Sequence, residues 1–314
     1  MKFSRKFLVA VLFCILPFAG CSNGTPSPTA TPRATATPVF TPTPTATPVP
    51  LKPSHVIVIS IDGLRPDALA QANTPNIDRL ISGGSATMTA QTILPSETTA
   101  GHASMFSGVD PKAHGVVQEN PTDYLTIPTV FSLAEGKGIS SAIIAGKKKL
   151  FFLARPESVK IYQAEDLPSG NIAVAASAAI ESGQAKLIFI HFADVDLIGH
   201  SHGWMSELQI ETVEQVDSAV GIVMQAISRA KLNNSVVILT SDHGGFNYDH
   251  GGNIPEDMTI PWIIYGKYIS VGLTIKEPIN VMDTGATILD LFDIPIPGNW
   301  RGKPVRQAYI TSLR

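Results

Sequence analysis

An α/β fold, doubly wound around a mainly parallel sheet flanked by helices, is what the sequence predicts for most of the chain. Three observations carry that expectation. Continuous apolar runs, "HVIVISID" at 55–62, "KLIFIHFADVD" at 186–196 and "SVVILTSD" at 235–242, read as strands buried on both faces. Helical patterns lie between them, as parallel strands require. Each run ends at aspartate: Asp62, then Asp194 with Asp196, then Asp242. In open α/β sheets ligands bind beyond the carboxyl ends of the strands, so these endings would share one side of the domain.

The helical rhythm is clearest over 206–230. Ser206 and Gln209 have capping-box spacing, and Val213, Val216, Val220, Val223 and Ile227 keep a helical period of about 3.6 residues. A further helix is expected at 281–292, and shorter ones at 74–82, 99–107, 127–136 and 171–182.

The chain has 314 residues, 44% hydrophobic and 16% charged, enough for one large domain or two small ones. Residues 1–20 stand apart. A basic start (Lys2, Arg5, Lys6) precedes an apolar run from Phe7 to Phe18, the pattern of a secretory signal. The run is too short for a comfortable membrane span. Phe18-Ala19-Gly20-Cys21 is similar to the lipobox of bacterial lipoproteins, with Phe18 where leucine is usual. Cys21 is therefore the expected lipidation site; plain signal cleavage near Gly20, leaving Cys21 free, is the alternative. Residues 21–53 form a linker of Thr-Pro repeats, which favour extended polyproline II structure and cannot build a core. Its reach would be on the order of 80 to 90 Å. Residues 54–314 are the expected catalytic domain. The chain is thus expected to be an exported lipoprotein, at the cell surface or in the periplasm, anchored to a membrane through Cys21. Of its two cysteines Cys14 leaves with the signal, so the mature chain cannot form an internal disulfide. The formal charge of −3 becomes −6 when Lys2, Arg5 and Lys6 leave, which argues against nucleic-acid binding by bulk charge.

The chemistry lies in a set of aspartates and histidines. Asp196 and His200 are four apart, on one face of a helical turn. Asp242 and His243 are adjacent after a strand, and His250 follows within "DHGGFNYDHGG". With Asp62 these six offer carboxylate and imidazole ligands, suited to zinc and also to manganese or iron. That is too many for one catalytic metal and about right for two. Taken singly, a strand-ending aspartate reads as a helix cap and a histidine in a glycine turn as a backbone hydrogen-bonding group. His102, His114, His191 and His202 are read that way, as structural or solvated residues. A nucleophile is expected in "LPSETTAGHASMFSG", where Ser96, Thr98 and Thr99 stand at the entry of a helix whose positive end favours negative charge. Spacing does not choose between them. Lys147 to Lys149 read as a solvated loop that could attract an anion. Trp204, Phe246 and Tyr248 read as packing residues or as a stacking surface for a base or sugar.

Five motifs taken in order carry a resemblance: "ISIDGLRPD", "LPSETTAGHASMFSGVDPKAHGV", "DVDLIGHSHGW", "TSDHGG" and "HGGNIPEDMTIPWIIYG", closed by "MDTGATILDLFDIPIP". The chain resembles the alkaline phosphatase superfamily, and within it the type I phosphodiesterase / nucleotide pyrophosphatase group, over residues 55 to about 305. The resemblance implies two divalent metal ions, zinc foremost. Asp62, Thr98, Asp242 and His243 would hold one, and Asp196, His200 and His250 the other. Thr98 would be the nucleophile, acting on a small phosphate ester through a phosphothreonine intermediate. Two departures stand out. The family commonly carries asparagine five residues after the His-Gly histidine; here Glu119 holds that place and Asn120 follows, so both are candidate substrate-binding residues. The short gap from His243 to His250 also marks a compact version. The C-x-P-S-R stretch of sulfatases is absent. Phosphomonoesterase, phosphonate hydrolase or phosphotransferase activity, and a non-catalytic surface binding protein on this fold, are the alternatives.

Overall fold

The computed structural model describes residues 53–310; the signal segment, Cys21 and the Thr/Pro-rich linker up to residue 52 lie outside the described residues. In chain order the first half comprises β1 (His55–Ile61), α1 (Pro66–Gln71), α2 (Pro75–Gly83), β2 (Ser85–Gln91), α3 (Thr98–Ser107), α4 (Pro111–His114), α5 (Val130–Glu135), β3 (Ser141–Ala145) and β4 (Ile161–Ala164). Then follow α6 (Ser169–Ser182), β5 (Leu187–Phe192), α7 (Asp194–His202), α8 (Glu207–Arg229), β6 (Ser235–Thr240), α9 (Pro255–Met258), β7 (Thr259–Gly266), β8 (Leu273–Thr274) and α10 (Met282–Leu291).

The sheet has eight strands in the order β4-β3-β5-β1-β6-β7-β2-β8. β1 lies at the centre, parallel to β5 on one side and β6 on the other. Only β7 runs against its neighbours, β6 and β2. The apolar runs are continuous because both faces are covered. Val56 and Val58 of β1 pack into one core with Phe106, Phe131, Phe189 and Trp262, under α3, α5 and α10. Ile57, Ile59 and Ile61 face the other core, with Ile180, Val216 and Val220 of α6 and α8. The doubly wound expectation therefore holds. Among the described residues no helix is long and apolar enough to cross a membrane.

Two local expectations change. The helix expected from 127 starts at Val130, because Thr129 caps it by accepting from the Ser132 amide. At the start of α8 Ser206 accepts from the Gln209 amide, but the Gln209 side chain accepts from Met205, not Ser206, so half of the box forms.

α2 is held by a partner far along the chain. Its N-cap residue Thr74 makes no capping hydrogen bond with its side chain. Instead Asp217 of α8 accepts from the amides of Asn76 (3.1 Å) and Ile77 (2.8 Å) and from the Asn76 side chain (2.8 Å). Losing a buried acceptor strands these donors. Replacement of Asp217 by alanine should destabilise the domain by about 1–3 kcal/mol and lower Tm by about 2–4 °C per kcal/mol in thermal unfolding. An unchanged Tm would show that water replaces the carboxylate at no cost.

Candidate active site

Loops leaving the carboxyl ends of four neighbouring strands, β3, β5, β1 and β6, meet at one point. β1 delivers Asp62, β6 delivers Asp242 and His243, and β5 leads into α7 with Asp196 and His200. All three aspartates are buried: Asp62 and Asp242 are fully enclosed and Asp196 is 1% exposed.

Among the described residues, two groups of side chains are compact enough to hold a metal ion: Asp62 with Asp242 and His243, and Asp196 with His243 and His250. His243 belongs to both. Its Nε2 lies 3.3 Å from Asp62, 3.4 Å from Asp242 and 4.0 Å from Asp196. The Asp196 Oδ1 is 3.5 Å from the Nε2 of both His200 and His250. His200 joins at the rim, with 40% of its side chain exposed.

The three histidines are oriented alike. The Nδ1–H donates to a backbone carbonyl in each: Gly244 for His243 (2.7 Å), Ser96 for His250 (2.9 Å) and Tyr248 for His200 (2.9 Å). This leaves every Nε2 facing the carboxylates, the arrangement found in metal-ligating histidines. The carboxylates are equally telling. Asp62 Oδ1, Asp196 Oδ1 and Asp242 Oδ2 are buried with no hydrogen-bond partner among the described residues. A buried acceptor left unpaired costs about 1–3 kcal/mol, more when charged. Divalent cations in the two groups would satisfy all three oxygens, so the residues fit the metals that the sequence implies.

Without metal the charges offset one another only in part. Burial would raise the Asp62 carboxyl, but Lys147, His191 and His243 together hold it well below the usual range. Asp196 is raised, by burial and then by its neighbour Asp62. Burial would lower His243, yet Asp242 and Asp62 push it up to about 10. His250 is pushed down to about 2 by burial and by His243.

Thr98 opens α3 and is fully buried. Its hydroxyl sits 3.3 Å from His243 Nε2 and 3.3 Å from Lys147 Nζ. The other two hydroxyl candidates are spent on carbonyls: Ser96 donates to Gly252 (2.9 Å) and Thr99 to Gln118 (2.7 Å). Of the three hydroxyls, that of Thr98 is the one that faces the ligand groups.

Lys147 corrects the sequence reading. It is no solvated loop residue but is 7% exposed, with Nζ 2.8 Å from Asp62 and 2.5 Å from Asp196. Burial opposes its charge, but the flanking carboxylates of Asp62 and Asp196 raise its pKa. A signal was present: "SAIIAGK" is another apolar strand with a polar residue just past its carboxyl end. Lys149 pairs with Glu119 at 3.2 Å instead. Glu119, Asn120, Lys147, Asp196, Leu197 and His200 line a cleft of about 480 Å³ at the site. A larger cavity, about 700 Å³, lies at the amino end of β6 by Ser235 and contains none of these residues. The carboxyl-end cleft is the one that the fold assigns to ligands.

The remaining histidines sit in an outer ring or elsewhere. His191 Nε2 donates to Asp62 at 2.9 Å. His102 donates from Nδ1 to the Thr98 carbonyl (2.8 Å) and is kept neutral by burial, its pKa pushed down to about 4. His114 pairs with Ser104 at 2.9 Å, and His202 is exposed beside Ser201. Trp204 is 7% exposed and packed, whereas Phe246 (47%) and Tyr248 (62%) face solvent.

Comparison with known proteins fits this geometry. Ectonucleotide pyrophosphatase/phosphodiesterase family member 3 of Mus musculus is 24% identical over 217 residues, 60% of this chain and 24% of that protein. The 2,3-bisphosphoglycerate-independent phosphoglycerate mutase of Trichormus variabilis is 29% identical over 143 residues, 42% of this chain and 26% of the mutase. The matched region spans about a quarter of the length of these relatives. Murine ectonucleotide pyrophosphatase/phosphodiesterase 5, solved in complex with AMP, superposes with a TM-score of 0.69 at 16% identity, over 79% of this chain and 97% of that one. A 2-O GAG sulfatase superposes with a TM-score of 0.67 at 17% identity, over 81% and 73%. At such identities the likeness shows the fold alone. Residues 56–137 and 155–256, more than half of the chain, match the family model for type I phosphodiesterase / nucleotide pyrophosphatase. The chain belongs to the type I phosphodiesterase / nucleotide pyrophosphatase family of enzymes.

Proposed function

We propose that this protein is a metal-dependent phosphoric ester hydrolase that works through a phosphothreonine on Thr98. The observation that carries the reading is the place of the Thr98 hydroxyl, within 3.3 Å of the histidine shared by both ligand groups. Asp62, Thr98, Asp242 and His243 would hold one divalent ion, and Asp196, His200 and His250 the other, with zinc best suited to this oxygen and nitrogen set. When bound, the ions would lower the pKa of the Thr98 hydroxyl and of a water molecule and offset charge on the transferring phosphoryl group.

The residues then divide the work. Thr98 Oγ1 forms a bond to phosphorus as the bond to the leaving oxygen breaks, and the threonine proton is lost from the site. Water next forms a bond to phosphorus, the Thr98 ester bond breaks, and the hydroxyl regains a proton. Lys147 faces the same oxygen and would contact the phosphoryl group in both steps. Asn120 lines the cleft with it and would orient the substrate, while Glu119 is tied to Lys149 and directs its charge there. We also place the enzyme outside the cytoplasm, held to a membrane by lipid on Cys21 and by the Thr/Pro-rich linker.

Family membership favours phosphate diesters and pyrophosphates. Lys147 favours a second reading, a phosphomonoesterase. A terminal phosphoryl group carries a charge of about −1.5 to −2 near neutral pH, against one for a diester, and so gains more from a further buried cation. A non-catalytic binding protein would not need a hydroxyl at the centre of the ligand groups.

Replacing Thr98 by alanine should cut kcat by about 1,000-fold or more with metal content unchanged. A chiral phosphate ester should be hydrolysed with overall retention at phosphorus, since two in-line displacements each invert it. Inversion, or full activity in the alanine variant, would remove the covalent step. Changing Lys147 to methionine should lower kcat/KM about 100- to 1,000-fold for p-nitrophenyl phosphate. A loss of less than about 10-fold for bis-p-nitrophenyl phosphate would mark the lysine as a monoester contact; equal losses would assign it to structure.

A further inference from the structure

The indole of Trp204 lies two residues past the end of α7, at the junction of three segments that carry the ligand groups. Glycines form its cradle. A Cβ added at Gly245 would lie 2.2 Å from the indole, one at Gly199 2.7 Å and one at Gly63 3.2 Å. At Gly245 and Gly199 only a residue without a side chain allows so close an approach, and at Gly63 the contact would be tight. Gly63 follows Asp62, Gly199 lies between Asp196 and His200, and Gly245 begins the turn from His243 to His250. The indole Nε1–H donates to the Gly63 carbonyl at 2.9 Å.

The contacts lean toward one ligand group. The indole meets the His200 ring edge-on (centroids 5.1 Å apart) and the His250 ring likewise (5.9 Å). Its backbone amide donates to the Asn247 carbonyl at 2.7 Å, and the next carbonyl, of Tyr248, orients His200. Trp204 touches the other group only through the backbone of Gly63 and Gly245, and that group has side-chain supports of its own: Lys147 and His191 hold Asp62, and Ser241 holds Asp242 together with the Gly63 amide.

We infer that Trp204 is a positioning residue for the metal held by Asp196, His200 and His250, fixing the spacing of those three ligands through α7 and the turn at 245–249. The inference rests on the two-metal reading above. It also explains why Trp204 is packed away while Phe246 and Tyr248 stay exposed: the ring is committed to protein and does not stack on substrate.

The test is calorimetric titration of Zn2+ into the metal-free full chain, with Tm recorded alongside. Wild type should take up two ions. In Trp204→Ala one site should weaken about 10- to 100-fold while the other stays within about 3-fold, as expected for loss of an outer support. The surviving tight site should disappear when Asp242→Asn is added. Trp204→Phe, which keeps a ring against both histidines but not the hydrogen bond to Gly63, should recover most of the lost affinity. Trp204→Leu replaces the alanine variant if that fails to fold. Equal weakening of both sites with a fall in Tm, or two unchanged affinities, would overturn the inference. Uptake of fewer than two ions by wild type would instead refute the two-metal reading itself.

Discussion

Three carboxylates, Asp62, Asp196 and Asp242, are buried together at the ends of adjacent strands, and the surrounding structure is arranged to make that tolerable. Like charges so enclosed repel strongly, because little water screens them. Lys147 bridges two of them and His243 approaches all three. Even so, one oxygen of each carboxylate has no partner among the described residues. A packed domain leaves three such oxygens facing one spot when something cationic belongs there. The start of α3 adds to this, since it aims its positive end and the Thr98 hydroxyl into the same space.

How much of this was legible in the sequence depended on whether the signal was local. β1, β5 and β6 announced themselves because both faces are buried, and their aspartates marked the functional end of the sheet. α8 was legible from its valine stripe. Lys147 shows only a faint signal, its place just past the apolar run "SAIIA", and the two lysines after it give the pattern of a solvated loop; the sheet order is what sets its strand beside β5. β7 lies within the "HGGNIPEDMTIPWIIYG" motif, and nothing local tells that it runs against β6. The start of α2 lacked a local cap because its cap is Asp217, some 140 positions away. Contacts of this kind are set by tertiary packing, and a single sequence has no means of displaying them.

Histidine makes the same point at the level of the site. Seven of the eight lie at or beyond residue 102, and composition treats them alike. Their roles separate by which nitrogen is occupied. His200, His243 and His250 spend Nδ1 on a carbonyl and present Nε2 inward, whereas His102 places both nitrogens on protein partners, Thr98 and Ser60. His191 presents its Nε2–H to Asp62 and so acts on a ligand from behind. Spacing motifs can suggest this division but cannot assign tautomers.

Glu119, Asn120 and Leu197 line the cleft together with Lys147, Asp196 and His200. On the proposed reading, selectivity rests on these few side chains close to Thr98, and two bound ions would organise them. The most direct measurement is an anomalous difference map from a crystal of the full chain grown with zinc. Two peaks about 3.5–4 Å apart, one against Asp62, Asp242 and His243 and one against Asp196, His200 and His250, are what the account predicts. A single peak, or none at these carboxylates, would contradict it.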